Sequence, residues 1–106
     1  IVNEEQFGPA IPIISFKDDD EAIRLANDTK FGLCSSVWTT DEDRGVKIAR
    51  QIEAGYTWIN QHGLTALELM CPLGGQKESG IGRSFGLDGL LGFTEAHNIV
   101  AKKSAM

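Results

Sequence analysis

Covalent chemistry would be sought first at Cys34 and Cys71. The two lie far apart, fit no CxxC or zinc-ligand spacing, and have no cluster of histidines near them. Cys71 stands between Met70 and Pro72, with neither Lys nor His adjacent in sequence to lower its pKa. Both cysteines therefore read as packing or loop residues suited to a reducing compartment, and no metal site is expected. His62 and His97 are single and unpartnered in sequence, which reads as surface or satisfied histidines. Gly80-x-Gly82-x-x-x-Gly86 approximates a dinucleotide-binding glycine pattern. A phosphate-cradling turn must follow an apolar strand, however, and here Gln76-Lys77-Glu78-Ser79 precedes it with no acid about twenty residues further on. The stretch reads instead as a glycine-rich turn in which Lys77 and Arg83 make structural hydrogen bonds.

The elements that must position these residues are short. Residues 10–16 are too apolar to alternate cleanly, as in a strand buried on both faces. Asp18 followed by Glu21 resembles a capping box and opens a helix over 19–27, after which Leu33–Thr39 is β-prone. Thr40 or Asp41 can cap a second helix with Val46, Ile48, Ala49 and Ile52 on its apolar face, and Gly55 is placed for a left-handed stop. Gly45 within it costs about 1 kcal/mol relative to Ala. Tyr56–Asn60 then reads as a third strand. The expected fold class is α/β: β-α-β-α-β with a mostly parallel sheet, a Gly-rich irregular segment over 61–92, and a last strand over 97–103. Two short helices cannot cover both faces of such a sheet, so apolar surface should be left over.

With 10 Lys and Arg against 15 Asp and Glu, a formal net charge of -5, the 106-residue chain has no basic field for a polyanion, and nucleic acid is not an expected partner. No apolar run approaches the roughly 18–20 residues of a membrane span, so the expected location of the full-length protein is cytoplasmic. Starting at Ile1 with no linker before the first motif, the chain reads as cut from something longer.

Three stretches together resemble the aldehyde dehydrogenase superfamily. Glu4-Glu5-Gln6-Phe7-Gly8-Pro9 is similar to its Glu-Glu-x-Phe-Gly-Pro segment, and Ala26-Asn27-Asp28-Thr29-x-Phe31-Gly32-Leu33 to its Ala-Asn-x-x-x-(Tyr/Phe)-Gly-Leu segment. Trp58-Ile59-Asn60, a loop, and Pro72-Leu73-Gly74-Gly75-Gln76-Lys77-Glu78-Ser79-Gly80-Ile81-Gly82-Arg83 resemble the family's Trp-x-Asn and Pro-Phe-Gly-Gly-x-Lys-x-Ser-Gly-x-Gly-Arg. The resemblance implies the C-terminal part of the catalytic domain over 1–95 and an oligomerisation strand and tail over 96–106.

It further implies a parent enzyme that oxidises an aldehyde to a carboxylic acid with NAD or NADP through a Cys thioester. The family's nucleophilic Cys follows an Asn-x-Gly-Gln type of sequence that is absent here, so this chain alone should be inactive. By resemblance, Glu5 accepts hydrogen bonds from the nicotinamide ribose and Phe7 packs near the nicotinamide; taken alone, they would read as a solvated acid and a core aromatic. The loop 61–73, rich in Leu64, Leu67, Leu69 and Met70, resembles the lining of the substrate entrance, where Cys71 and Leu73 would wall the pocket. Leu73 stands where the family often has Phe. Expected partners are an aldehyde substrate, the remainder of the parent chain and further copies in a homo-oligomer, paired through Ile99 and Val100. The competing reading is a stand-alone, non-enzymatic module that self-associates through exposed strand edges.

Overall fold

A computed structural model describes residues 2–103. Helix α1 (Asp19–Asn27) starts where its local chemistry dictates: the Asp18 carboxylate accepts the Glu21 amide at 2.9 Å. The Glu21 carboxylate reaches back to the Lys17 amide at 3.0 Å, one residue before the usual partner in a capping box. Three acids in the first turn also complement the helix dipole. Strands β1 (Phe31–Gly32) and β2 (Cys34–Val37) follow, then α2 (Glu42–Ala49), capped by Asp41 through the Arg44 amide at 2.9 Å. Strand β3 (Tyr56–Ile59) returns parallel to β2, pairing Cys34 with Tyr56 and Val37 with Ile59. The unit β2-α2-β3 is thus a compact parallel crossover.

The glycine in the middle of α2 has a packing reason. Gly45 is buried, and a Cβ there would sit 3.0 Å from Thr39 Cγ2 and 3.2 Å from Ile59 Cγ2, so its absence lets the helix lie close on β3. Gly55 is not the left-handed helix stop that its position suggested, because α2 ends at Ala49 with Arg50 as its right-handed cap. Its role is close approach: a Cβ on Gly55 would collide with the Gly74 carbonyl.

The chain is α/β, with two corrections to the expected sheet. Residues 10–16 form no strand, and Ile11, Ile13 and Ile14 are 81%, 92% and 50% exposed. The described strands make two separate two-stranded sheets, parallel β2-β3 and antiparallel β1-β4, where β4 is Gln76–Lys77. Residues 97–103 likewise carry no ladder, and 104–106 lie outside the described residues. The physical reason is common to both segments. An apolar strand of this kind is defined by the neighbours that satisfy its backbone, and among the described residues none pairs with it.

Trp58 is the one buried large hydrophobic side chain among the described residues. The expected excess of apolar surface is present, from Phe7 through Trp38 to Phe93 and Val100.

Candidate functional site

The loop that follows β3 is braced from inside. Trp58 Nε1 donates to the Ala66 carbonyl at 2.7 Å, Tyr56 Oη accepts the Glu68 amide at 3.2 Å, and the Tyr56 and Trp58 rings lie 4.6 Å apart. His62 rests edge-on against Trp58, with ring centroids 5.0 Å apart. Leu64–Ala66 forms a single 3-10 turn, and the Glu68 carboxylate accepts the Met70 amide at 3.0 Å. At the far end Leu73 and Ser84 exchange backbone hydrogen bonds of 2.7 Å, and the Gly86 amide reaches the Leu69 carbonyl at 3.1 Å. The backbone of the loop is therefore tied inward while Leu64, Leu69 and Met70 are 88%, 59% and 81% exposed. Cys71 is exposed and Leu73 half-buried.

Lys77 anchors the next segment. Its ammonium donates to the Asn27 carbonyl at 2.7 Å and the Thr29 carbonyl at 3.0 Å, and pairs with Glu53 at 2.8 Å. Lys77 adopts φ 52° to do so, a conformation that a non-glycine residue holds only when its surroundings fix it. Arg83 Nη1 donates to the carbonyls of Gly75 at 3.0 Å and Gly82 at 2.7 Å. Both cations do the structural bonding expected of them. Asn27 belongs to the same clamp: its side-chain amide donates to Gln51 O at 2.8 Å and accepts the Glu53 amide at 2.9 Å. In the sequence alone the side chains of Asn27, Glu53 and Tyr56 have no role in bracing the loop, and only the place of Asn27 within the Ala26–Leu33 motif could have flagged that residue. Ser79 is a further tie, its hydroxyl accepting the Gly32 amide at 2.8 Å.

The glycine-rich turn does lead into a helix, α3 (Gly86–Leu91), with Gly80, Gly82 and Gly86 at positive φ. The strand before it is the polar, antiparallel β4, unlike the apolar parallel strand on which a phosphate loop is built.

Two cavities flank these braces. The larger, about 790 Å³, lies over α1, β2 and α2, with Glu5 on its wall beside Phe16, Ile23, Val37 and Ile48. The smaller, about 650 Å³, is lined by Leu73, Gly74, Arg83 and Phe93. Leu33 and Ser79 line both. Glu5 is exposed and the Phe7 ring 98% exposed, so the first motif stands open at the edge of the larger cavity, and Leu73 belongs to the smaller. Asp19 and Arg44 join α1 to α2 at that cavity, with Arg44 Nε 2.9 Å from Asp19 Oδ2. The Arg44 guanidinium holds the Asp19 carboxyl below its ordinary value, and Asp19 raises Arg44 in turn. Cys34 also lines the cavity, and desolvation pushes its thiol up, away from the thiolate a nucleophile requires. Among the described residues no three His, Cys, Asp or Glu side chains gather where a metal could bind, and no helix is long and apolar enough to cross a membrane.

This geometry of an α/β piece with an open apolar wall and a tightly braced loop has close counterparts. Residues 1–99 match the model of the aldehyde dehydrogenase family. Betaine aldehyde dehydrogenase of Brucella anthropi is 44% identical over 99 residues, covering 93% of this chain and 20% of the relative. Its counterpart in Brucella melitensis biotype 2 is 43% identical over the same length. Among solved structures, an aldehyde dehydrogenase of Mycobacterium tuberculosis complexed with NAD+ superposes with a TM-score of 0.83 at 45% identity, covering 88% of this chain and 19% of that one. A betaine aldehyde dehydrogenase of Staphylococcus aureus in complex with NAD+ gives 0.82 at 38% identity, covering 87% and 18%.

The chain belongs to the aldehyde dehydrogenase family. It spans about a fifth of the length of the curated relatives it matches.

Proposed function

We propose that this chain is the C-terminal part of a cytoplasmic, oligomeric NAD(P)-dependent aldehyde dehydrogenase, and that it supplies cofactor, substrate-entrance and subunit contacts without catalysing the reaction by itself. The observation that carries this reading is the family match over 1–99 together with a surface that the chain cannot cover alone. The parent enzyme oxidises an aldehyde to a carboxylic acid, with the nucleophilic Cys of the thioester in the remainder of the chain. Desolvation pushes the Cys34 thiol up, away from the thiolate that task requires.

The nicotinamide dinucleotide, when bound, takes up the hydride that leaves the substrate. The residues here fit one edge of such a group. Glu5 is exposed, so its carboxylate is open to accept both vicinal hydroxyls of a ribose, and the exposed ring of Phe7 offers an apolar wall two residues on. Leu73 and Cys71 close the end of the loop 61–73 and border the path by which the aldehyde enters. Residues 1–95 complete the catalytic domain, and 96–106 supply an oligomerisation strand, over 96–103, and a tail; the exposure of Ile99 (83%) and Val100 (95%) leaves an apolar edge for the strand.

The test is Glu5→Gln in the full-length parent. A charge-assisted hydrogen bond contributes about 1.5–3 kcal/mol, so KM for the dinucleotide should rise roughly 10- to 100-fold with the aldehyde KM little changed. An unchanged dinucleotide KM would remove Glu5 from the cofactor site.

A further inference from the structure

Lys77 is a cation with oxygens from two distant stretches of the chain gathered around it. Its ammonium donates to the Asn27 and Thr29 carbonyls at 2.7 and 3.0 Å and meets the Glu53 carboxylate at 2.8 Å, one acceptor for each of the three N–H bonds a lysine carries. Asn27 is the last residue of α1, so its carbonyl belongs to the negative end of the helix dipole, where a positive charge is favoured. The Lys77 side chain is 23% exposed, and its backbone is held at φ 52°. A lysine keeps that left-handed conformation only where its partners over-determine it.

The two residues after Lys77 bind the same stretch. The Glu78 amide donates to the Lys30 carbonyl at 2.9 Å, and the Ser79 hydroxyl accepts the Gly32 amide at 2.8 Å. Residues 27–32 are thereby stitched to residues 77–79, with Lys77 holding the end next to α1. That held stretch is also where the segment bearing Glu5 lies. Val2 and Asn3, just before the first motif, share with residues 27–30 a cavity of about 350 Å³. Glu5 in turn lines the largest cavity together with Thr29 and Glu53, two of the three residues whose oxygens hold Lys77. Lys77 itself lines neither cavity, so its effect on Glu5 passes through those residues.

We propose that Lys77 is a positioning residue for the cofactor site: by fixing residues 27–30 and Glu53 it fixes the wall beside which Glu5 sits, and with it the place where the Glu5 carboxylate meets the nicotinamide ribose. This rests on the proposed function, which takes Glu5 to be the ribose contact. Hydrogen bonds weaken steeply as distance and angle depart from their preferred values. A wall that relaxes once its central cation is gone therefore costs dinucleotide affinity, although no group touching the dinucleotide has changed.

The test is a double-mutant cycle in the full-length parent, read as the Kd for NADH and for NADPH by fluorescence titration. Lys77→Met keeps the length of the side chain and removes its charge. It should raise Kd roughly five- to tenfold in the unaltered enzyme but less than about twofold in Glu5→Gln, because the contact it positions is already weakened there. Glu53→Gln, at a side chain 56% exposed, weakens only the ion pair. It should show the same pattern with a rise of about threefold, and it carries the test if Lys77→Met does not fold. A factor equal in both Glu5 backgrounds would make Lys77 a clamp of the fold alone and overturn the proposal. A Kd unmoved by either substitution, where Glu5→Gln does raise it, would overturn it too. Glu5→Gln without effect on Kd would instead sink the functional reading of Glu5, and this proposal with it.

Discussion

Asp18 and Asp41 each accept the amide three residues on and each begin a helix. Asp18 was legible from residue type and spacing, and Asp41 as one of two candidates beside Thr40, because a cap is local and needs no distant partner. The ion pair between Asp19 and Arg44 was not legible, since it joins side chains 25 positions apart whose meeting depends on how α1 and α2 are set. Its pH dependence has a definite sign. Asp19 has a folded pKa below the ordinary 3.8, so in acid the unfolded chain binds the extra proton. The contribution of the pair is full above 3.8 and is lost as the pH falls from there through the lowered value. Amide hydrogen exchange in α1, compared between Asp19→Asn and the unaltered protein, should be faster in the variant at pH 7, and the ratio should approach one well below pH 3.8. A ratio independent of pH would contradict the pairing.

Elements divide by whether their partners are within the chain. The crossover β2-α2-β3 closes on itself, and its parallel pair follows the sequence reading closely. The segment 10–16 has a strand's composition with no ladder, because hydrophobic pattern can announce a buried strand without supplying its neighbours. Gly55 carries a related lesson. Its place after a helix suggested a left-handed stop, but the Gly74 carbonyl opposite excludes a Cβ, a long-range contact that no local rule anticipates. Gly55→Ala should therefore destabilise the protein by about 1–3 kcal/mol through a forced backbone shift, seen as a lower urea midpoint. Gly8→Ala, with open space around it, should stay within about 0.5 kcal/mol. Equal effects would mean that β3 and the Gly74 turn do not approach so closely.

As a whole molecule the chain is extended. Its radius of gyration is 19.5 Å and its dimensions 74 × 32 × 26 Å, where a compact domain of this length would have a radius of about 13 Å. Its surface of 8979 Å² compares with roughly 5,800 Å² for a folded monomer of its mass. The sequence indicated leftover apolar surface, but not that nearly the whole core would be missing, because 42% hydrophobic residues is ordinary for a domain that has one. The candidate site divides in the same way. The loop and its braces are complete within the described residues, while Glu5 and Phe7 are exposed.

The most direct test of that account is aldehyde-dependent NADH or NADPH formation by the purified 106-residue chain and by the full-length product of its gene, assayed side by side. Activity in the full-length protein and none in the chain alone is the predicted result. Turnover by the chain alone would contradict it and would place the nucleophile at Cys34 or Cys71.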